Sequence, residues 1–274
     1  MDRLFLTLVM LVAVAGADAL ELPLEADSYV VGEDRIIVAA YEDTFVKIAR
    51  TYDLGFLELI QANPGVDPWL PGEGTEIVLP TRFVLPDAPR RGIVINLPEL
   101  RLYYFPDGDS GRVITHPISI GRMEWRTPLG ITAIQSKAEN PSWYPPQSVR
   151  EEYAANNWPL EAVVPPGPDN PLGKHALRLA LPGYLIHGTN TPAGVGMRVT
   201  HGCIRMFPED IEALFGDVPL GTPVRIVNQP FKFGRSSAGY YLEAHPLLDE
   251  ELQGDEVSIM TELTRAYVAA TEEG

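Results

Sequence analysis

Apolar and polar positions follow different periods in successive parts of the chain. An apolar run, broken only by Thr7, spans Leu4 to Gly16. Arg35-Ile-Ile-Val-Ala-Ala reads as a short strand. Phe45, Ile48 and Ala49 fall on one face of a helix over 44–52, with Asp43 placed to cap it. Phe56-Leu-Glu-Leu-Ile predicts a second, short helix that stops at Asn63-Pro64-Gly65. A turn at Pro71-Gly72 leads to a strand over Glu76-Ile-Val-Leu. Residues 28–80 thus form a strand–helix–helix–strand module. Thr81 to Pro89 is a proline-containing connector. From Gly92 the pattern changes to short strands bounded by turns: 93–96, 101–105, 113–120, 131–135, 176–181, 184–187 and 224–227. Residues 106–111 form a hairpin-type turn. One helix is well signalled here, with Pro208 first, Glu209 and Asp210 in its first turn, and Ile211, Leu214 and Phe215 as its apolar face. A second domain over 91–228 is therefore mainly β.

Residues 140–173 interrupt this domain. They hold eight prolines, the aromatics Trp143, Tyr144, Tyr153 and Trp158, and little periodicity. So long a loop in a compact domain points to a lid or a groove wall, with a packed insertion as the plainer alternative. Residues 240–274 read as an acidic tail: nine Asp or Glu against one Arg in 241–274. Val257, Met260, Thr264 and Tyr267 recur there at helical spacing, and no chemistry is assigned to them.

Composition narrows the partners. The 274 residues carry 21 Lys and Arg against 37 Asp and Glu, a formal charge of −16. A surface this acidic argues against nucleic acid or anionic lipid. The first apolar run follows Arg3 and precedes Ala17-Asp18-Ala19, the three-part layout of a signal peptide over 1–19. It falls short of the roughly 20 residues a membrane span needs, so no stable anchor is expected after cleavage. The alternative is a short buried or anchoring helix. Export to the periplasm is the expectation.

Cys203 is the chain's single cysteine, so it has no disulfide partner within the chain. Its neighbours His201, Gly202 and Arg205 do not form an apolar burial pattern, which favours a reactive thiol over a buried structural one. His201 lies on the same side of an extended segment, and His187 ends a strand of its own. Either imidazole is a candidate base for a thiol nucleophile. Gly202 permits close backbone approach, so the amides of Gly202 and Cys203 are candidates to hold an oxyanion. Arg205, Thr200 and Tyr184 are the candidate substrate contacts. For Arg205 a structural salt bridge is an equal alternative. Two rival readings remain open: zinc held by His187, His201 and Cys203, and a non-catalytic binding module. No Ser-x-x-Lys or Gly-x-Ser-x-Gly motif offers a serine nucleophile.

Two resemblances follow. Gln61-Ala-Asn-Pro-Gly-Val-Asp-Pro-Trp-Leu-Pro-Gly, within strand–helix–helix–strand, resembles a LysM module, which binds peptidoglycan or chitin glycan. His187-Gly-Thr followed by Thr200-His-Gly-Cys-Ile-Arg resembles the signature of the YkuD-type L,D-transpeptidases. Residues 85–105 and 164–174 are similar to the enterobacterial, LysM-containing branch, which includes the lipoprotein-anchoring enzymes. The resemblance implies a mainly β, β-sandwich-like catalytic domain behind a small α+β LysM-like module. It implies Cys203 as nucleophile, His187 as base, His201 as a residue shaping the site, and an oxyanion hole of nearby amides. It implies neither metal nor cofactor. The donor would be a peptidoglycan tetrapeptide stem that loses D-Ala. The acceptor would be an outer-membrane lipoprotein lysine or a second stem's diaminopimelate. The alternatives in these terms are a non-catalytic peptidoglycan-binding protein or a zinc-dependent wall hydrolase.

Overall fold

The computed structural model describes residues 19–25, 27–106, 111–248, 263–264 and 266–268. The predicted signal peptide, all but Ala19, the turn residues 107–110 and most of the predicted tail lie outside them. No described helix is long and apolar enough to cross a membrane.

The chain opens with β1 (Leu20–Pro23) and β2 (Val30–Gly32). The expected strand–helix–helix–strand order follows as β3 (Arg35–Val38), α1 (Phe45–Thr51), α2 (Phe56–Ala62) and β4 (Glu76–Leu79), with β3 and β4 antiparallel. The cap of α1 is not Asp43. Thr44 Oγ1 accepts from Lys47 N at 3.2 Å, while Asp43 Oδ2 takes the Ala40 amide at 2.8 Å and Oδ1 pairs with Lys47. β5 (Arg82–Val84) lies in the expected connector and pairs with β2.

The second unit contains β6 (Gly92–Asn96), β7 (Arg101–Phe105), β8 (Arg112–Pro117), β9 (Ile120–Gly121) and β10 (Gly130–Glu139). After α3 (Gln147–Ala155) come β11 (His175–Leu179), β12 (Leu185–His187), β13 (Arg198–Thr200) and β14 (Ile204–Arg205). Then follow α4 (Pro208–Asp217), β15 (Pro223–Val227), β16 (Phe231–Ser236) and β17 (Gly239–Ala244). Among the described residues one nine-stranded sheet runs β1-β8-β7-β6-β15-β10-β11-β12-β14. A register shift between Ile134 and Ser136 lets β10 pass from β15 to β11. The protein is mainly β, as its strand-length runs predict.

β6 and β7 are buried at every position. Successive side chains point to opposite faces, so both faces must be covered. Ile93, Ile95, Leu102 and Tyr104 join a core with Ile134, Leu177, Ile186, Ile204 and Ile211. Val94, Tyr103 and Phe105 join another with Phe45, Ile48, Leu59, Ile77 and Phe83. The N-terminal unit therefore has no closed core of its own. Its apolar face is completed by the sheet.

Three further expectations are corrected. The strand read over 113–120 is split into β8, which ends at Pro117, a residue that cannot donate to a ladder, and β9, which starts at Ile120. The 140–173 loop contains α3, whose one buried residue, Val149, leaves no helical stripe to read. The tail expected from residue 240 begins as β17, hairpinned with β16. Its Glu243 counts as acidic in composition but is turned in, 3.0 Å from the buried Lys232 Nζ, which also meets Glu99 at 2.7 Å.

Candidate active site

The site forms where β12 and β14 pair in parallel at the sheet's edge, with Ile186 opposite Ile204 and His187 opposite Arg205. Ile186 and Ile204 are both fully buried and fix this register from the core side. His187 O accepts from Met206 N at 2.9 Å, which ties the two strands past the site. Cys203 stands one residue before β14, half-buried. Gly202 has φ +101, and a Cβ there would meet Tyr184 Cε1 at 3.1 Å and the carbonyls of Trp125 and Arg126 at 3.4 Å. Glycine is thus required by conformation and by space alike.

His187 is buried, and its Nδ1 lies 2.6 Å from Gly188 O, a contact only an N–H can make favourably. Nε2 is then the lone-pair nitrogen. Burial, with the Arg205 charge adding to it, lowers the imidazole to about 4, so it is neutral at physiological pH. The Cys203 thiol points its hydrogen bond at Gly183 O, 3.7 Å away. Burial pushes the thiol up, against opposing pulls from the Leu185 amide and the Arg178 guanidinium. A neutral imidazole and a protonated thiol are thus the resting forms, rather than a thiolate–imidazolium pair.

His201 is directed elsewhere. Its Nε2 lies 3.1 Å from Glu152 Oε2 on α3 and 3.3 Å from Arg122 Nη2, and Arg122 also pairs with Glu152. Trp125 stands edge-on to its ring at 5.2 Å, and Tyr153 lies tilted against it at 6.2 Å. Burial lowers its pKa, which Glu152 partly opposes. The 140–173 segment therefore reaches, through Glu152, the turn between β13 and β14 that carries Cys203. At the segment's base, the fully buried Asn170 donates to Pro141 O, Val164 O and Pro165 O.

The other predicted residues divide. Arg205 is half-buried, and its guanidinium has no carboxylate partner among the described residues, so the salt-bridge alternative is not what the fold uses. Thr200 is not placed for substrate: it is buried, donates to Cys203 O at 2.6 Å and accepts from Gly202 N at 3.2 Å. That second bond occupies the Gly202 amide. Tyr184 packs against Gly202, its hydroxyl 3.5 Å from Arg126 O, and is a wall of the site. Sequence reasoning missed Arg178, Arg122, Trp125 and Glu152. The alternation of His175-Ala-Leu-Arg-Leu, with Arg178 exposed between buried leucines, was the one available signal. The ligand atoms of His187, His201 and Cys203 do not form a cluster within 4.8 Å, in contrast to two other described groups.

The N-terminal unit touches this region. A Cβ on Gly196, in the segment joining His187 to Cys203, would come within 2.4 Å of Gly55 Cα and Phe56 N at the start of α2. The amides of Phe56 and Leu57 face Val195 O and Gly196 O, each at 3.4 Å.

Comparison with known proteins accords with the arrangement. Residues 90–226 match the YkuD family model, the L,D-transpeptidase catalytic domain. The chain is 45% identical to a probable L,D-transpeptidase of Escherichia coli K12, YcfS, over 88% of this chain and 79% of that one. It is 41% identical to a second from the same organism, YbiS, over 93% and 85%. It is 32% identical to a putative L,D-transpeptidase of Bacillus subtilis, YkuD, over 67% and 93%. With that similarity extending over most of its length, this chain belongs to the YkuD family of L,D-transpeptidases.

Proposed function

We propose that the protein is a periplasmic peptidoglycan L,D-transpeptidase with Cys203 as nucleophile and His187 as base. His187 Nε2 takes the thiol proton as Sγ attacks the diaminopimelate carbonyl of a tetrapeptide stem. The tetrahedral oxyanion is held by the Cys203 amide. Collapse expels D-Ala, whose nitrogen receives the proton from His187, and leaves a thioester. An acceptor amine, from a lipoprotein lysine or a second stem's diaminopimelate, then attacks the thioester. His187 takes the amine's proton and returns it to the departing thiol. No ATP is consumed, because one amide is exchanged for another.

The observation that carries this reading is the His187 ring. Its tautomer is fixed by Gly188 O, it is neutral, and it stands one strand from the chain's lone thiol. Arg205, unpaired with any described carboxylate, suits the carboxylate of a stem peptide. His201 acts as a positioning residue that ties α3 to the turn that carries Cys203. The N-terminal unit is read as a LysM-like glycan-binding module that presents the wall to this site, and residues 1–19 as the export signal.

The test is single-turnover acylation by a carbapenem, followed by intact mass. Wild type should gain one adduct on Cys203, and Cys203→Ala none. His187→Ala should slow acylation far more than His201→Ala. The absence of any adduct on wild type, or the reverse order of the two histidines, would overturn the assignment.

A further inference from the structure

β1 begins at Leu20, the residue directly after the predicted cleavage site Ala17-Asp18-Ala19. The Leu20 nitrogen lies 3.0 Å from Asp53 Oδ2. Asp53 is 1% exposed and occupies the turn between α1 and α2. His116 of β8 places Nδ1 3.6 Å from Asp53 Oδ2 and 3.6 Å from Asp210 Oδ1 on α4. Both are as buried as Asp53. Arg101 of β7 closes the group, donating to Asp53 O at 3.2 Å and to Glu58 Oε2 at 2.8 Å. The N-terminal unit, the sheet and α4 meet at this point.

The cluster is incompletely paired. Asp53 and Asp210 share one imidazole, and burial together with the Asp53 charge pushes the Asp210 carboxyl up to about 7. Asp53 Oδ1 and both Asp210 oxygens are buried without a hydrogen-bond partner, as are His116 Nδ1 and Arg101 Nε. A buried charge without compensation is strongly disfavoured. In the uncleaved chain the nitrogen beside Asp53 is a neutral amide with one N–H. Hydrolysis of the Ala19–Leu20 peptide bond consumes one water. It leaves a carboxylate on the released peptide and an α-ammonium on Leu20, with three donors and a positive charge 3.0 Å from Asp53 Oδ2.

We propose that signal-peptide removal after Ala19 creates an α-ammonium at Leu20 that docks on Asp53 and completes the buried Asp53–His116–Asp210 cluster. Processing itself then locks β1, the N-terminal unit and α4 together. The lock reaches the active site, because Ile211, next to Asp210, packs against Gly188 beside His187. This inference rests on the export reading above. The ligand atoms of Asp53, His116 and Asp210 also lie within 4.8 Å of one another, so a divalent metal is the competing occupant.

The test compares full-length protein recovered from the periplasm with a cytoplasmic form in which a methionine is retained before Leu20. Mass spectrometry of the exported form should give Leu20 as its first residue. At pH 6, where an α-amine is charged, its thermal midpoint should exceed that of the Met-extended form by about 4 °C or more. The gap should close in Asp53→Asn. If that variant does not fold, amine-reactive labelling replaces it: the Leu20 α-amine should be protected in the native protein and labelled on unfolding. A different first residue overturns the cleavage site and this inference with it. A chain starting at Leu20 with an unchanged midpoint, or with a freely labelled α-amine, leaves export standing and overturns the docking. Stoichiometric metal in the exported protein, whose chelation removes the extra stability, assigns the cluster to the metal instead.

Discussion

The neutral state of His187 has a kinetic signature. An unperturbed imidazole titrates at about 6.5, whereas burial lowers this one to about 4. Protonation removes the base, so the acidic limb of carbapenem acylation should lie near pH 4 and the rate should hold steady through pH 6. A limb at pH 6–7 would mean that another group is the base. The thiol gives a complementary expectation. Because burial raises it above the ordinary thiol range of about 8.5, iodoacetamide alkylation of Cys203 should keep rising through pH 8.5. A plateau near neutrality would indicate a preformed thiolate. Arg205→Lys keeps the charge but removes the two-pronged donor, so it should raise KM for a stem peptide more than it lowers kcat.

At the scale of elements, the joint between α2 and the segment leading to Cys203 is a backbone-on-backbone contact. Gly196 has φ +82 and no room for a Cβ. Gly196→Ala should cost at least about 3 kcal/mol from strain and overlap together. It should also slow acylation while leaving Cys203 and His187 in place; urea unfolding and single-turnover kinetics check the two parts. This joint also marks how far the sequence can be read. Cys203 and His187 were legible because thiol and imidazole are rare residue types placed close along the chain. Glu152, Arg122 and Trp125 were not, because Glu152 arrives on α3 and the other two on the β9–β10 turn, and no local pattern announces them. α3 escaped because its exposed faces are polar all round. The two-sided burial of Ile93-Val-Ile-Asn reads as a plain apolar run, so the sheet's role as lining for the N-terminal unit could not be seen. The helix cap moved by one residue, from Asp43 to Thr44, since either side chain satisfies the motif and only geometry chooses between them.

For the whole molecule, the β16–β17 hairpin is pinned by Lys232, Glu99 and Glu243, with His245 Nε2 2.6 Å from Glu243. Although burial opposes it, Lys232 holds the Glu243 carboxyl down to about 2, against about 4.3 unfolded. A depressed carboxylate contributes its full stability above the unfolded value and loses it as pH falls through the folded one. The hairpin should therefore weaken between about pH 4 and 2. Glu243→Gln should cost about 2–4 kcal/mol at pH 7 and flatten that part of the acid dependence; urea midpoints across pH 2–7 measure both.

The shared core has a consequence for ancestry. Val94, Tyr103, Phe105 and Val113 face Phe45, Leu59 and Phe83 across the boundary between the two units. A gene fusion that brought in a foreign module would leave those sheet residues facing water, and one that carried this module away would expose its own apolar side. Recombination at residue 85 is thus penalised twice. The two units should be inherited as one block, their facing residues changing in step along the lineage.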